Sequence, residues 1–253
     1  MKVSIITACY NREKTIATAI ESVSAQSYDN IEYIIIDGAS KDKSMDVINQ
    51  YKSQIDIILS EKDTGIYNAL NKGIKRSSGD IIGLLHSDDL FYDKDIIGKI
   101  VDVFANSDAD IVYANGMYVD EKKIDVVKRV YKAKLFKKKY LYFGWIPLHT
   151  TIFVKKEVFE KYGLYREDFK IASDYEISLR WFQNNLLKKV FLDCWVVKMR
   201  LGGKSTDLTQ QKLKSSEDLK IIREYNLLGK LTLLFKILRK IPQYILPKLL
   251  KYK

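Results

Sequence analysis

Apolar positions in the first 115 residues alternate between two periods. The stretches 3–8, 31–36, 55–59, 80–85 and 109–113 are short, nearly continuous apolar runs, as expected of strands covered on both faces. Between them, four sets recur at helical spacing: Ile16, Ile20 and Val23; Met45, Ile48 and Tyr51; Ile66, Ala69, Leu70 and Ile74; Ile97, Ile100, Val101 and Phe104. Asn11 is placed to cap the first helix, with Glu13 near its positive end. The order β-α-β-α-β-α-β-α-β predicts an α/β fold with a doubly wound, mostly parallel central sheet flanked by helices. The remainder is less regular. It suggests a hairpin over 118–131, helices over 155–162 and 173–184, a strand over 190–199, and helix from Ser205 onward, broken or kinked at Pro242 and Pro247.

Composition narrows the class. A chain of 253 residues, 47% hydrophobic and 30% charged, can bury a sizeable core. With three prolines and twelve glycines it holds no long flexible linker. The start, MKVSIITA, runs directly into a strand pattern, and no apolar stretch approaches the ~20 residues of a spanning helix. Cys9 and Cys194 match no metal or redox spacing and read as two buried thiols in a reducing cytoplasm. A net charge of +11 points to an anionic partner.

In open sheets of this topology ligands bind outside the carboxyl ends of the strands. That rule nominates Tyr10, Asn11, Asp37, Asp63, Asp88 and Asp89. A single aspartate there is most simply turn chemistry; several on one edge are not. Adjacent Asp88 and Asp89 repel, so keeping both after a buried strand suggests a compensating cation. Hard oxygen ligands suit Mg²⁺ or Mn²⁺, which also hold phosphates.

The segments SIITACYN from Ser4, DGAS from Asp37 with Asp42 after it, EKDTGIYNALNKG from Glu61, and Ser78-Gly79-Asp80 leading to His86-Ser87-Asp88-Asp89 follow one another in order. With His149-Thr150-Thr151, Ser173-Asp174-Tyr175-Glu176 and Gly202-Gly203-Lys204-Ser205 they resemble family 2 glycosyltransferases, most of all the small enzymes of O-antigen and capsule assembly. The resemblance covers about the first 205 residues. It implies the GT-A fold and an inverting transferase that moves a hexose from a nucleotide-sugar, usually a UDP-hexose, to a lipid-linked sugar. By that resemblance Tyr10 and Asp37 hold the base, and Asn11, Asp63 and Asp88 border the nucleotide. Asp89 is the metal ligand, with Ser87 standing where the DxD motif has its first aspartate. The region of His149 borders the acceptor or diphosphate, and His86 is a neighbour of the metal loop. Arg180 either reaches the acceptor or a phosphate or lies on a helix surface near Trp181, and Gly202, Gly203 and Ser205 form either a loop closing over the donor or a simple surface turn. Asp174 is the expected catalytic base, with Glu176 the weaker alternative.

The chemistry agrees with that implication. Cleaving a sugar–phosphate bond needs charge stabilisation on the leaving diphosphate and a base for the attacking hydroxyl. The reading divides the chain into a domain over 1–205, with a nucleotide half (1–115) and an acceptor half (116–205), and a helical basic tail over 206–253. After Glu224 there is no acidic residue, while Lys230, Lys236, Arg239, Lys240, Lys248, Lys251 and Lys253 interleave with Leu231, Leu234, Phe235, Leu238, Ile241, Ile245 and Leu249. Such a stretch lies in an anionic membrane interface or packs on its own domain. A second basic cluster, Lys132 to Lys139, suits a polyprenyl-diphosphate-linked acceptor. The expected location is the cytoplasmic face of a bacterial membrane. Alternatives are a sugar-phosphate nucleotidyltransferase, which wants a glycine-rich loop after the first strand where Ala8-Cys9-Tyr10-Asn11 stands, and a basic nucleic-acid-binding module, for which no recognised motif is present. A dehydrogenase lacks its GxGxxG.

Overall fold

A computed structural model describes residues 1–201 and 208–249. The first half of the chain runs β1 (Val3–Cys9), α1 (Ile16–Ser24), β2 (Ile31–Asp37), α2 (Ser44–Gln50), β3 (Ile57–Ser60), α3 (Ile66–Arg76), β4 (Ile81–Leu84), β5 (Leu90–Phe91), α4 (Ile96–Ala105). It continues through β6 (Ile111–Val119), β7 (Val127–Tyr131), α5 (Lys139–Tyr142), β8 (Ile152–Lys155), α6 (Lys156–Tyr162), α7 (Ser173–Gln183) and β9 (Lys189–Arg200), and ends in α8 (Leu208–Glu224), α9 (Lys230–Leu238) and α10 (Lys240–Leu249).

One sheet holds all the strands among the described residues, in the order β3-β2-β1-β4-β8-β6-β9-β5, with β7 paired to β6. β1 to β4 pair in parallel, as do β6 and β9. β8 runs antiparallel to both β4 and β6. Two antiparallel steps restore direction, so β1, β2, β3, β4, β6 and β9 all end at the same rim. The apolar runs are buried because helices cover both faces: Ile6, Ile34 and Ile36 pack against α3, while Ile5, Ile35 and Val3 pack against α1 and α4. Ile16, Ile20 and Val23 are buried as their spacing requires, whereas Ile66 is 42% exposed because it opens α3 at the rim.

Several local readings need correction. Asn11 does not cap α1, which starts at Ile16 behind Thr15; its side chain accepts from Lys41 N–H instead. The strand expected to stop at Tyr113 continues to Val119 through Asn115-Gly116, a pair that reads as a turn. Asn115 is held in the sheet by donating to Asp193 (2.8 Å) and accepting from Ala133 N–H (2.7 Å), and register shifts in the β6–β9 pairing absorb the irregularity. Cys9 is buried and Cys194 only partly so; both are free thiols. Pro242 lies in the first turn of α10, where its missing N–H costs little, and Pro247 lies inside that helix. The boundary expected at 205, and Gly202, Gly203 and Ser205, lie outside the described residues.

Candidate active site

The loops that leave the strands at the shared rim are tied to one another. After β1 the backbone turns through Asn11 at φ 54°, in the left-handed region. Asn11 N–H donates to Ser40 Oγ, Arg12 N–H to Ser44 Oγ, and Glu13 N–H to Asp42. This laces the β1 exit to the β2 exit. Asp37 is fully buried, accepting from Ser40 N–H (3.1 Å), Ser40 Oγ and Ser60 Oγ (2.6 Å). Its oxygens are taken by these two serines and hold the turn in shape. Asp63 closes on the same turn. A Cβ on Gly38 would lie 2.4 Å from Asp63 Oδ2, so the Asp63 carboxylate rests directly against the glycine. Tyr10 stands 43% exposed beside them.

Asp88 and Asp89 follow β4 on the inner part of the rim. Arg12 Nε lies 3.9 Å from Asp88 Oδ2. From the end of β9, Arg200 donates its N–H to Asp89 Oδ1 (3.1 Å) and its guanidinium to the Asp88 carbonyl (2.7 Å). Asp89 is 2% exposed. Its Oδ2 is buried without a hydrogen-bond partner among the described residues. Burial first, and then Asp88, push its pKa well above the usual carboxylate range. A buried, unpaired carboxylate oxygen beside a second carboxylate is what a hard divalent cation would satisfy. Among the described residues no set of three or more His, Cys, Asp or Glu ligands is assembled. A cation would therefore draw its remaining oxygens from phosphate and water, as Mg²⁺ and Mn²⁺ commonly do.

Asp174, in the first turn of α7, faces this pair through two imidazoles. His86 Nε2 and His149 Nε2 are 3.0 Å apart, so one donates and the other accepts. His149 Nδ1 lies 3.6 Å from Asp174 Oδ2. Burial lowers both histidines, His149 to about 4, so both are neutral near pH 7. Tyr67 on α3 donates to the Ile171 carbonyl (2.7 Å) and reaches Asp174 Oδ1 at 3.3 Å. Burial works to raise the Asp174 pKa, but Lys214, His149 and Lys236 outweigh it and leave it lowered, so the carboxylate stays ionised and able to accept a proton. The contacts form a ring: Asp63, Gly38, Ser40, Asn11, Arg12, Asp88, His86, His149, Asp174, Tyr67, and back through the start of α3 to Asp63.

Arg180 and Glu176 are not in that ring. Arg180 lies six residues beyond Asp174, about 9 Å along the helix axis. It is clamped bidentately on Glu176 (3.1 and 2.7 Å) and donates to the Tyr162 and Leu164 carbonyls. Glu176 also accepts from Tyr225 and is 2% exposed. This pair ties α7 to α6 and α8, and no donor of Arg180 is directed at the rim. The ring, and Arg200 beside it on Asp88 and Asp89, include residues the sequence did not single out. Arg200 was open to the strand-end rule, because β9 ends at the same rim. Arg12 and Tyr67 carry no local signal.

Comparison with known proteins bears on the family and the fold. Residues 4–163 match the profile of glycosyl transferase family 2. An uncharacterized glycosyltransferase of Rickettsia prowazekii is 29% identical over 225 residues, spanning 86% of this chain and 70% of the relative. Among solved structures, S. aureus TarS 1-349 in complex with UDP-GlcNAc superposes with TM-score 0.71 at 16% identity, over 89% of this chain and 65% of TarS 1-349. The mannosyltransferase PcManGT from Pyrobaculum calidifontis, in complex with GDP-Man and Mn²⁺, gives TM-score 0.66 at 15% identity, over 88% and 63%. The chain thus spans under two thirds of the length of these two structures, and the likeness to them is one of fold.

Proposed function

The chain belongs to glycosyl transferase family 2 and has the GT-A fold, and from that premise we propose that it moves a hexose from a nucleotide-sugar, a UDP-hexose first among the candidates, to a polyprenyl-diphosphate-linked sugar with inversion at the anomeric carbon. The observation that carries the reading is the ring of contacts that sets Asp37 and Asp63, Asp88 and Asp89, and Asp174 around one end of the sheet. The exposed Tyr10 ring stacks on the base, while Asn11, Asp37 and Asp63 shape the turn that receives it. Asp89 and Asp88 would hold a divalent cation, which when bound would supply positive charge to the leaving diphosphate. Asp174 accepts the proton of the acceptor hydroxyl as that oxygen bonds to the anomeric carbon. The bond from that carbon to the diphosphate breaks, releasing the nucleoside diphosphate. Neutral His149, next to Asp174, orients the base and borders the acceptor.

The tail supports a membrane-facing acceptor. Leu231, Leu234, Ile237, Leu238, Ile241 and Ile245 are each 45–54% exposed, among cations and with no acidic residue after Glu224. An apolar face with charge of one sign suits the interface of an anionic bilayer. No helix among the described residues is long and apolar enough to cross a membrane. The reading places the protein at the inner face of a bacterial membrane, in assembly of a surface polysaccharide of the O-antigen or capsule kind. It is tested by incubating the protein with UDP-, GDP- and dTDP-sugars, Mn²⁺ or Mg²⁺ and a polyprenyl-diphosphate-linked sugar. Metal-dependent nucleoside diphosphate release with one donor is expected; a folded protein that releases none with any donor contradicts it.

A further inference from the structure

Helix α8 follows the glycosyltransferase motifs and reads in sequence as the start of a basic tail. Its inner face is nonetheless in the core: Ile221 and Ile222 are fully buried, and Glu217 is 8% exposed. The Glu217 carboxylate is aimed at backbone. Oε1 accepts from Lys170 N–H (2.8 Å), and Oε2 from Ile171 N–H (2.9 Å) and Ala172 N–H (3.0 Å). These three successive amides end at Ala172, the residue that caps α7 and has no side chain to do so. Asp174 is two residues further on. The same short segment is held from its acceptor side by Tyr67, whose hydroxyl bonds the Ile171 carbonyl at 2.7 Å.

A buried carboxylate is costly to desolvate unless charge-assisted bonds offset the loss. No side chain caps α7, and Ser173 Oγ is buried without a hydrogen-bond partner among the described residues, so the segment leading into the helix is not fixed by a neighbouring residue. The chain instead brings a charge from 45 residues away. Lys214, three residues earlier and on the same side of α8, interacts electrostatically with Asp174 and supports its ionised form.

We propose that Glu217 is the positioning residue for Asp174, acting through the 170–172 amides, so that α8 is part of the catalytic unit and not a separable tail. The inference rests on the reading of Asp174 as the base. Its physical content is geometric, since displacing a reacting group by about 1 Å costs on the order of 100-fold in rate. The nucleotide side of the ring is built on β1, β2 and α3, which Glu217 does not touch.

Glu217→Gln keeps the shape but turns an amide NH₂ toward backbone donors. With the donor found by the panel above, kcat is expected to fall 10- to 100-fold while the KM for the nucleotide-sugar changes less than twofold. Amide hydrogen exchange should quicken over 165–172 and stay unchanged over 31–37. Glu217→Asp, which retains the charge and shortens the reach, serves if the glutamine variant does not fold, and should give an intermediate kcat. A folded variant with wild-type kcat overturns the inference, as does a loss that affects kcat and KM alike. Asp174→Asn separates the two claims. If it retains turnover, the base assignment fails regardless of Glu217; if it is inactive while Glu217→Gln is unimpaired, only the positioning role fails.

Discussion

Replacing Asp89 by asparagine separates the charge of this side chain from its shape. In the folded protein Oδ1 accepts from Arg200 N–H at 3.1 Å, and asparagine can keep that bond. Oδ2 is buried without a partner among the described residues, and burial with Asp88 nearby disfavours its ionised form. Without a cation the carboxylate is a liability, as leaving a buried polar group unsatisfied costs about 1–3 kcal/mol. Asp89→Asn in EDTA should therefore melt no lower than wild type. With a cation the order reverses. A ligand that binds only the folded state, present at about 100 times its Kd, adds about 2.7 kcal/mol. Unfolding entropy near 2.1 cal/mol/K per residue gives about 0.5 kcal/mol/K for 253 residues. Mn²⁺ with UDP should then raise the wild-type Tm by about 5 °C. The variant should show no metal-dependent part of that shift. Differential scanning fluorimetry in EDTA, in Mn²⁺, in UDP and in both measures each term. A variant that gains the same 5 °C as wild type from Mn²⁺ with UDP would refute the assignment of Asp89 to the cation.

Four further outcomes are expected. Tyr67→Phe removes the hydroxyl that bonds Ile171 and reaches Asp174; kcat should drop at least tenfold for about 1 kcal/mol of stability, and unchanged steady-state kinetics would count against its place in the ring. Glu32 accepts from Ser4, Ser78 and Lys2, and these bonds outweigh burial to bring its pKa down from 4.5 to about 2. A lowered folded pKa means its stabilisation, about 3 kcal/mol, is complete above pH 4.5 and is lost as pH falls toward 2; urea titrations of Glu32→Gln should show a flatter pH dependence there, and parallel curves would contradict it. Gly144→Ala meets a backbone at φ 65° and places Cβ 2.6 Å from Lys236 Cβ, so it should cost about 2–4 kcal/mol and lower Tm by about 4–8 °C; an unchanged melt would show that α9 does not dock there. Leu234→Ser with Ile237→Ser removes two half-exposed side chains and should weaken binding to anionic vesicles at least tenfold in a sedimentation assay, whereas equal binding would move the membrane contact elsewhere.

The first half of the fold was legible because its strands are covered on both faces and its helices on one, so the two periods stand apart in the sequence. The strand-end rule then found most of the rim, including Asp37, Asp63 and Asp89, without any contact being known. What it missed is non-local. Tyr67 meets Asp174 across 107 residues, and Arg200 meets Asp88 across 112. β8 is three apolar residues and Lys155, wedged antiparallel between β4 and β6 and followed at once by α6, with no turn signal to separate them. Asn115-Gly116 carries a turn signal that Asp193 and Ala133 override. Arg180 looked available for phosphate because its partner Glu176, one turn away, was itself read as a candidate base. The tail's composition is one-sided, but its inner face is not: Thr232 is fully buried and donates to the Tyr142 carbonyl, and Lys236 lies over the Tyr175 ring and pairs with Asp218. Composition alone does not separate the face that packs from the face that is exposed.

On the proposed roles of Asp174 as base and of Asp88 and Asp89 at the diphosphate, the reaction has a stereochemical consequence. Proton removal on one side of the sugar and departure of the diphosphate on the other require attack from the face opposite the leaving group. The anomeric configuration of the product, read by proton coupling constants in NMR from an α-linked nucleotide-sugar, reports this directly. A β-linked product is expected; an α-linked product formed by the same protein would contradict the account.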